Sequence, residues 1–83
     1  MEAVFTFHNT RGAIGGERTL LEAGIKVKVM ALPSSLGAGC GLCLRVDRPD
    51  YPAALELLEG AGFSPEGAYQ KTSENGRTVY EPV

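Results

Sequence analysis

Eighty-three residues, 43% of them apolar and 22% charged, make one domain with one core, which hides only about 60% of the unfolded surface. A net charge of −2, from 8 basic and 10 acidic residues, argues against a nucleic-acid footprint, which requires clustered Lys and Arg. No apolar run approaches the roughly 20 residues that cross a bilayer.

The start, "MEAVFTFHNT", has no positive n-region and opens directly into strand-like sequence, so it does not read as a signal peptide. The first strand is expected over 3–8, "AVFTFH". Asn9 or Thr10 then offers a side-chain oxygen to cap a helix over 11–23. Ala13, Ile14, Leu20 and Leu21 are its expected apolar face, while Gly12, Gly15 and Gly16 weaken its first turns. Gly24 stops it.

"IKVKVMAL" (25–32) alternates, with Ile25, Val27 and Val29 on one side and Lys26 and Lys28 on a wet side. Pro33 ends it, and "PSSLGAG" is a loop. "GLCLRVD" (41–47) alternates again, with Leu42, Leu44 and Val46 inward and Cys43, Arg45 and Asp47 outward. Asp50 is the expected N-cap of a second helix, Pro52 is tolerated in its first turn, and Ala54, Leu55, Leu58 and Ala61 form its buried stripe. Gly60 or Gly62 ends it. "GAYQKT" (67–72) reads as a fourth strand, "ENG" (74–76) as a turn, and residues 77–80 as a fifth strand folding back.

A weak two-fold echo runs through the chain: "LLEAGIKVKV" (20–29) resembles "LLEGAGFSPEG" (57–67). The element order predicts an α+β fold, a ferredoxin-like β-α-β-β-α-β two-layer sandwich with an additional C-terminal hairpin strand. Three-element modules exchanged between subunits would satisfy the same order. In the split arrangement "HNTRG" (8–12) and "PSSLGAGCG" (33–41) share one end of the sheet. Cys40 is then expected beside helix amides carrying partial positive charge, with Arg11 adding a full one. Both favour thiolate, the nucleophilic form. Gly39 and Gly41 let backbone N–H groups approach the sulfur and whatever it carries.

These residues also carry a resemblance. A strand-helix-strand unit, a Pro, a Ser/Gly-rich loop, "CGL", a hydrophobic-Arg strand and the "LELLEGAG" helix together are similar to the bacterial family of selenium/sulfur carrier-like proteins. The similarity spans about residues 3–71, leaving 72–83 as a C-terminal extension. Its most specific stretch is "LPSSLGAGCGLCLRV", where Cys40-Gly41 matches the family's Cys-Gly; Glu17 matches a recurrent helix acid. Ser34 stands where the family often has Arg, which removes one expected anion contact. The resemblance implies a persulfide or perselenide held on Cys40, received from a donor enzyme and handed to an acceptor protein. Gly39, Gly41, Arg11 and Thr10 would stabilise the anion.

Other readings stand beside it. Cys40 is equally a small buried residue where a tight loop enters a strand. Cys40 and Cys43 have C-x-x-C spacing, but that redox signature usually opens a helix, and an extended segment between them spans about 10 Å, too far for a disulfide unless the strand starts late. Structural zinc wants four ligands, and Cys40, Cys43 and His8 fall short unless two subunits share a site. His8 either orients the sulfur or is a half-exposed strand-end residue. "RGAIGGE" resembles a phosphate loop without its Lys and Ser/Thr. No metal or cofactor is expected. The protein is read as a cytoplasmic carrier rather than a turnover enzyme, with reduced thiols. The alternative is a ferredoxin-like binding or regulatory module, a homodimer or ligand binder acting through its open sheet face.

Overall fold

The computed structural model describes residues 1–37 and 41–83. Its elements run β1 (Glu2–Thr6), α1 (Thr10–Glu22), β2 (Val27–Ala31), β3 (Leu42–Asp47), α2 (Tyr51–Gly60), β4 (Gly67–Glu74) and β5 (Arg77–Pro82), with short 3-10 turns at Ser34–Leu36 and Arg48–Asp50. The strands form one antiparallel sheet in the order β2-β3-β1-β4-β5. This is the ferredoxin-like two-layer sandwich with an extra strand at the β4 edge.

Period-two alternation decides what each face carries. Ala3 and Phe5 of β1 and Leu44 and Val46 of β3 point to one side and meet Ala13 and Leu20 of α1 and Ala54 and Leu58 of α2. Both helices therefore cover the same face. Phe5, Phe7, Leu20, Leu44 and Leu58 are fully buried, and each contributes roughly 1.5–3 kcal/mol by leaving water. At the start of α2, Phe5 stacks on Tyr51 at 5.6 Å, and the Arg48 guanidinium lies 5.0 Å over the same ring.

Both helix ends repeat one device. In α1, Gly24 takes φ +82°, its N–H donates to Leu21, and Ile25 N–H donates to Leu20. In α2, Gly62 takes φ +85°, its N–H donates to Glu59, and Phe63 N–H donates to Leu58. This is the Schellman stop, in which a left-handed glycine lets two amides satisfy the last carbonyls. The two-fold echo in the sequence ends in this motif written twice, and counted back from the two glycines Leu20 corresponds to Leu58. Asn75 and Gly76, at φ 49° and 77°, make the two-residue turn between β4 and β5.

Several expectations change. Strand β1 stops at Thr6, and Phe7 turns inward to pack near Gly12 and Gly16. Ile25 belongs to the helix stop, so β2 begins at Val27. β4 continues to Glu74, and β5 to Pro82. Asp50 occupies the N-cap position of α2 but makes no side-chain capping bond, because a 3-10 turn already feeds the helix. Ala61 is exposed as the α2 C-cap. Ile14 and Leu21, expected in the core, are 56% and 53% exposed. Gly16 takes their place: a Cβ there would lie 2.9 Å from the Leu58 side chain. Gly15 lies just as close under Phe63, so these glycines bring α1 down onto its neighbours rather than breaking it.

The Gly15→Ala substitution should therefore lower stability by about 1–3 kcal/mol through overpacking, although alanine is the better helix former. Its Cβ would sit 2.4 Å from the Phe63 ring. Gly60→Ala, where a Cβ meets nothing within 4 Å, should be neutral or stabilise by up to about 1 kcal/mol. Urea unfolding midpoints of the two variants check the pair.

Candidate functional site

The sheet register brings the candidate segments to one end. Thr6 of β1 lies opposite Cys43 of β3, and Ala31 of β2 opposite Leu42. Residues 7–12 thus leave β1 at the end where residues 32–37 leave β2 and Gly41 enters β3. This is the convergence the split topology predicts.

Asn9 turns the chain into α1 there. Its backbone is extended, and its side-chain oxygen accepts the Gly12 N–H at 2.8 Å. Thr10 and Arg11 follow as exposed first-turn residues. Their amides point out of the helix end, where the dipole is positive. Beside them Phe7, His8, Arg11, Gly62, Phe63 and Ser64 border a cleft of about 220 Å³. His8 is 74% exposed, and its Nδ1 lies 3.0 Å from a Glu66 carboxylate oxygen. The Glu66 N–H donates to the Thr6 carbonyl at 2.7 Å, tying this acid to the end of β1. The sequence reading missed Glu66, Phe63 and Ser64, since no local pattern links residues 63–66 to residue 8.

Across the sheet end, Pro33 precedes the Ser34–Leu36 turn, held by Leu36 N–H to the Pro33 carbonyl and Gly37 N–H to the Ser34 carbonyl. The serines thus shape the turn through backbone bonds. The Leu32 N–H donates to the Gly41 carbonyl at 2.8 Å. Gly37 and Gly41 take φ +97° and +86°, conformations that side chains rarely adopt. Two of the loop glycines are therefore required by backbone shape alone. Cys40 and Gly39, the residues expected to carry and cradle the sulfur, lie outside the described residues.

Two candidates remain, Glu17 and Cys43. Glu17 sits mid-helix, about 9 Å along α1 from Arg11 at 1.5 Å per residue. Cys43 is on the sheet face away from the helices, as its alternation requires, but it is wholly buried rather than wet. Its thiol donates to the Ala31 carbonyl at 3.7 Å. Val4 and Thr6 on the same face are closed in with it. On this face Glu2 bridges Arg45 and Lys71, at 2.6 and 3.3 Å. Among the described residues no three His, Cys, Asp or Glu side chains converge as a metal site, and no helix is long and apolar enough to cross a membrane.

Residues 2–70 match the family model described as "Putative Se/S carrier protein-like". The chain belongs to this family. It is also 40% identical over 48 residues to the uncharacterized protein YtiA of Escherichia coli (strain K12); the match covers 58% of this chain and 56% of YtiA. The chain thus aligns with little more than half the length of that curated relative. No solved structure matches. Strand β5 lies beyond the matched residues.

The burial of Cys43 has a direct chemical consequence. In a Cys40→Ser variant, the remaining thiol should react with an aromatic disulfide reagent only as fast as the sheet opens, and at full speed in denaturant. Stopped-flow thiol titration checks this; rapid native labelling would contradict the buried placement.

Proposed function

We propose that this protein is a sulfur or selenium carrier that holds a persulfide or perselenide on Cys40 and passes the terminal atom to a partner protein. The observation that carries this reading is the match to the carrier-like family over residues 2–70, which includes Cys40-Gly41. The sheet end supports it, since Gly41 enters β3 at the end where the α1 amino terminus and Arg11 lie. Positive charge there favours thiolate over thiol.

The loading step balances without an outside oxidant. The Cys40 thiolate attacks the outer sulfur of a donor enzyme's persulfide. A new S–S bond forms on Cys40, the donor's S–S bond breaks, and its electron pair leaves with the donor thiolate. Delivery repeats the step with an acceptor thiol as the attacking group. Gly41, Gly39, Thr10 and Arg11 act on this sulfur by stabilising its negative charge. The setting is the cytoplasm, where thiols stay reduced. Cys43 takes no part, because its buried position denies a donor access. His8 is engaged by Glu66 and shapes the neighbouring surface.

Incubation with a cysteine desulfurase and free cysteine should add the mass of one sulfur atom to the wild-type chain. The Cys43→Ser variant should load equally, and Cys40→Ser not at all. Mass spectrometry of the intact chain and of its peptides reads the result. A donor-competent mixture that leaves Cys40 unmodified would overturn the proposal. An Arg11→Ala variant should load more slowly, with its deficit shrinking as pH rises and thiolate forms without electrostatic help.

A further inference from the structure

The two sheet edges are built differently. β5 ends in Pro82, which has no N–H to offer a further strand, and its own charged residues Arg77 and Glu81 flank it. β2 has no proline between Val27 and Ala31. Leu32 N–H points at Gly41 of β3, so by antiparallel alternation the N–H and C=O groups of Val27 and Val29 point to the open edge. Val29 is 37% exposed there.

The helix above this edge carries the matching surface. At 3.6 residues per turn, Ile14, Glu17, Arg18 and Leu21 lie on one flank of α1. The opposite flank is occupied, with Gly15 under Phe63 and Thr19 sharing a groove with Leu57 of α2. Leu21 lines a hollow with Val27 and Lys28, which places its flank over the β2 edge. Two large apolar side chains therefore stand exposed beside a strand edge that no other strand covers among the described residues, with an acid and a base between them.

We propose that β2 and this flank of α1 pair with a second copy of the chain about a two-fold axis. With Val29 opposite the partner's Val29, Val27 falls opposite the partner's Ala31 and Lys28 opposite the partner's Met30. No lysine stands directly opposite a lysine, and Lys28 and the partner's Lys28 meet only as diagonal neighbours about 7–8 Å apart, so the charges that guard this edge against arbitrary strands are compatible with its own copy. On the helices the same axis sets Ile14 against the partner's Leu21 and Glu17 against the partner's Arg18, each twice. The axis passes midway between residues 17 and 18, about 5 Å along α1 from Leu21. It passes between the two strands level with Val29, about 7 Å along β2 from Val27. One axis thus serves strand and helix to within about 2 Å. Because α1 packs over β2 and β3, strands about 4.8 Å apart set the paired helices about 10 Å apart, a packing distance. On the face of the sheet away from the helices, Arg45 and Lys71 are already paired through Glu2. The pairing is independent of the carrier reading, and Cys40→Ser should not alter it.

Sedimentation velocity over a concentration series, with circular dichroism confirming the fold of each variant, tests this. The wild type should associate to a dimer, and Leu21→Glu should be monomeric. Glu17→Arg and Arg18→Glu should each weaken association about tenfold, because symmetry creates each like-charge contact twice. The double exchange Glu17→Arg/Arg18→Glu should restore it. Amide hydrogen exchange at Val27 and Val29 should slow as concentration rises. A chain monomeric throughout, a dimer indifferent to Leu21→Glu, or a double exchange that regains nothing overturns the proposal.

Discussion

The molecule depends on the double burial of its first strand. Ala3, Val4, Phe5 and Thr6 are all withdrawn from water, as is Phe7 just beyond them, and β1 is paired on both sides, by β3 and by β4. A central strand buried on both faces tolerates no register slip, since one residue of shift would exchange Phe5 and Thr6 between faces. Every other placement follows from that register. It puts Cys43 beside Thr6, starts β3 where β1 ends, and aligns the α1 amino terminus with the loop that leads into Gly41.

The same constraint fixes the role of Cys43, the second cysteine of the C-x-x-C spacing. Cys43 is committed to the ladder, with its side chain enclosed among Val4, Thr6 and their neighbours and its thiol satisfied by the Ala31 carbonyl. Cys40 precedes the strand, next to a glycine whose positive φ marks the turn into it. Strand pairing therefore assigns Cys43 a packing role and leaves sulfur chemistry, in the carrier reading, to Cys40. The glycines of this loop divide in the same way. Gly37 and Gly41 are needed for backbone shape, so the glycine-rich look of the stretch is not by itself a sign of anion binding.

Local signals were legible in the sequence. Asn9 caps α1, two left-handed glycines stop the helices, Asn75-Gly76 turns the hairpin, and "KVKVM" and "LCLRV" alternate as strands. Each depends on residues within about five positions of one another. The family resemblance was legible for a similar reason, in the contiguous stretch around Cys40-Gly41. The pairing of His8 with Glu66, of Arg48 with Gln70, and of Glu2 with both Arg45 and Lys71 was not. Those partners lie far apart along the chain and meet only after the sheet has formed.

The chain's own pattern thus determined its element types, their order and most of their caps, because backbone propensity and period-two or 3.6-residue spacing act locally. Tertiary structure decided which side of each element is used. Helical periodicity allowed Ile14 and Leu21 to face the core, but Gly15 and Gly16 let Phe63, Leu58 and Leu44 approach so closely that α1 rolls onto its glycine side. Alternation sent Cys43 to the face without helices, yet the neighbours brought by β1 and β2 closed it from water. Burial is a property of neighbours, and neighbours are set by long-range pairing that no short stretch of sequence contains.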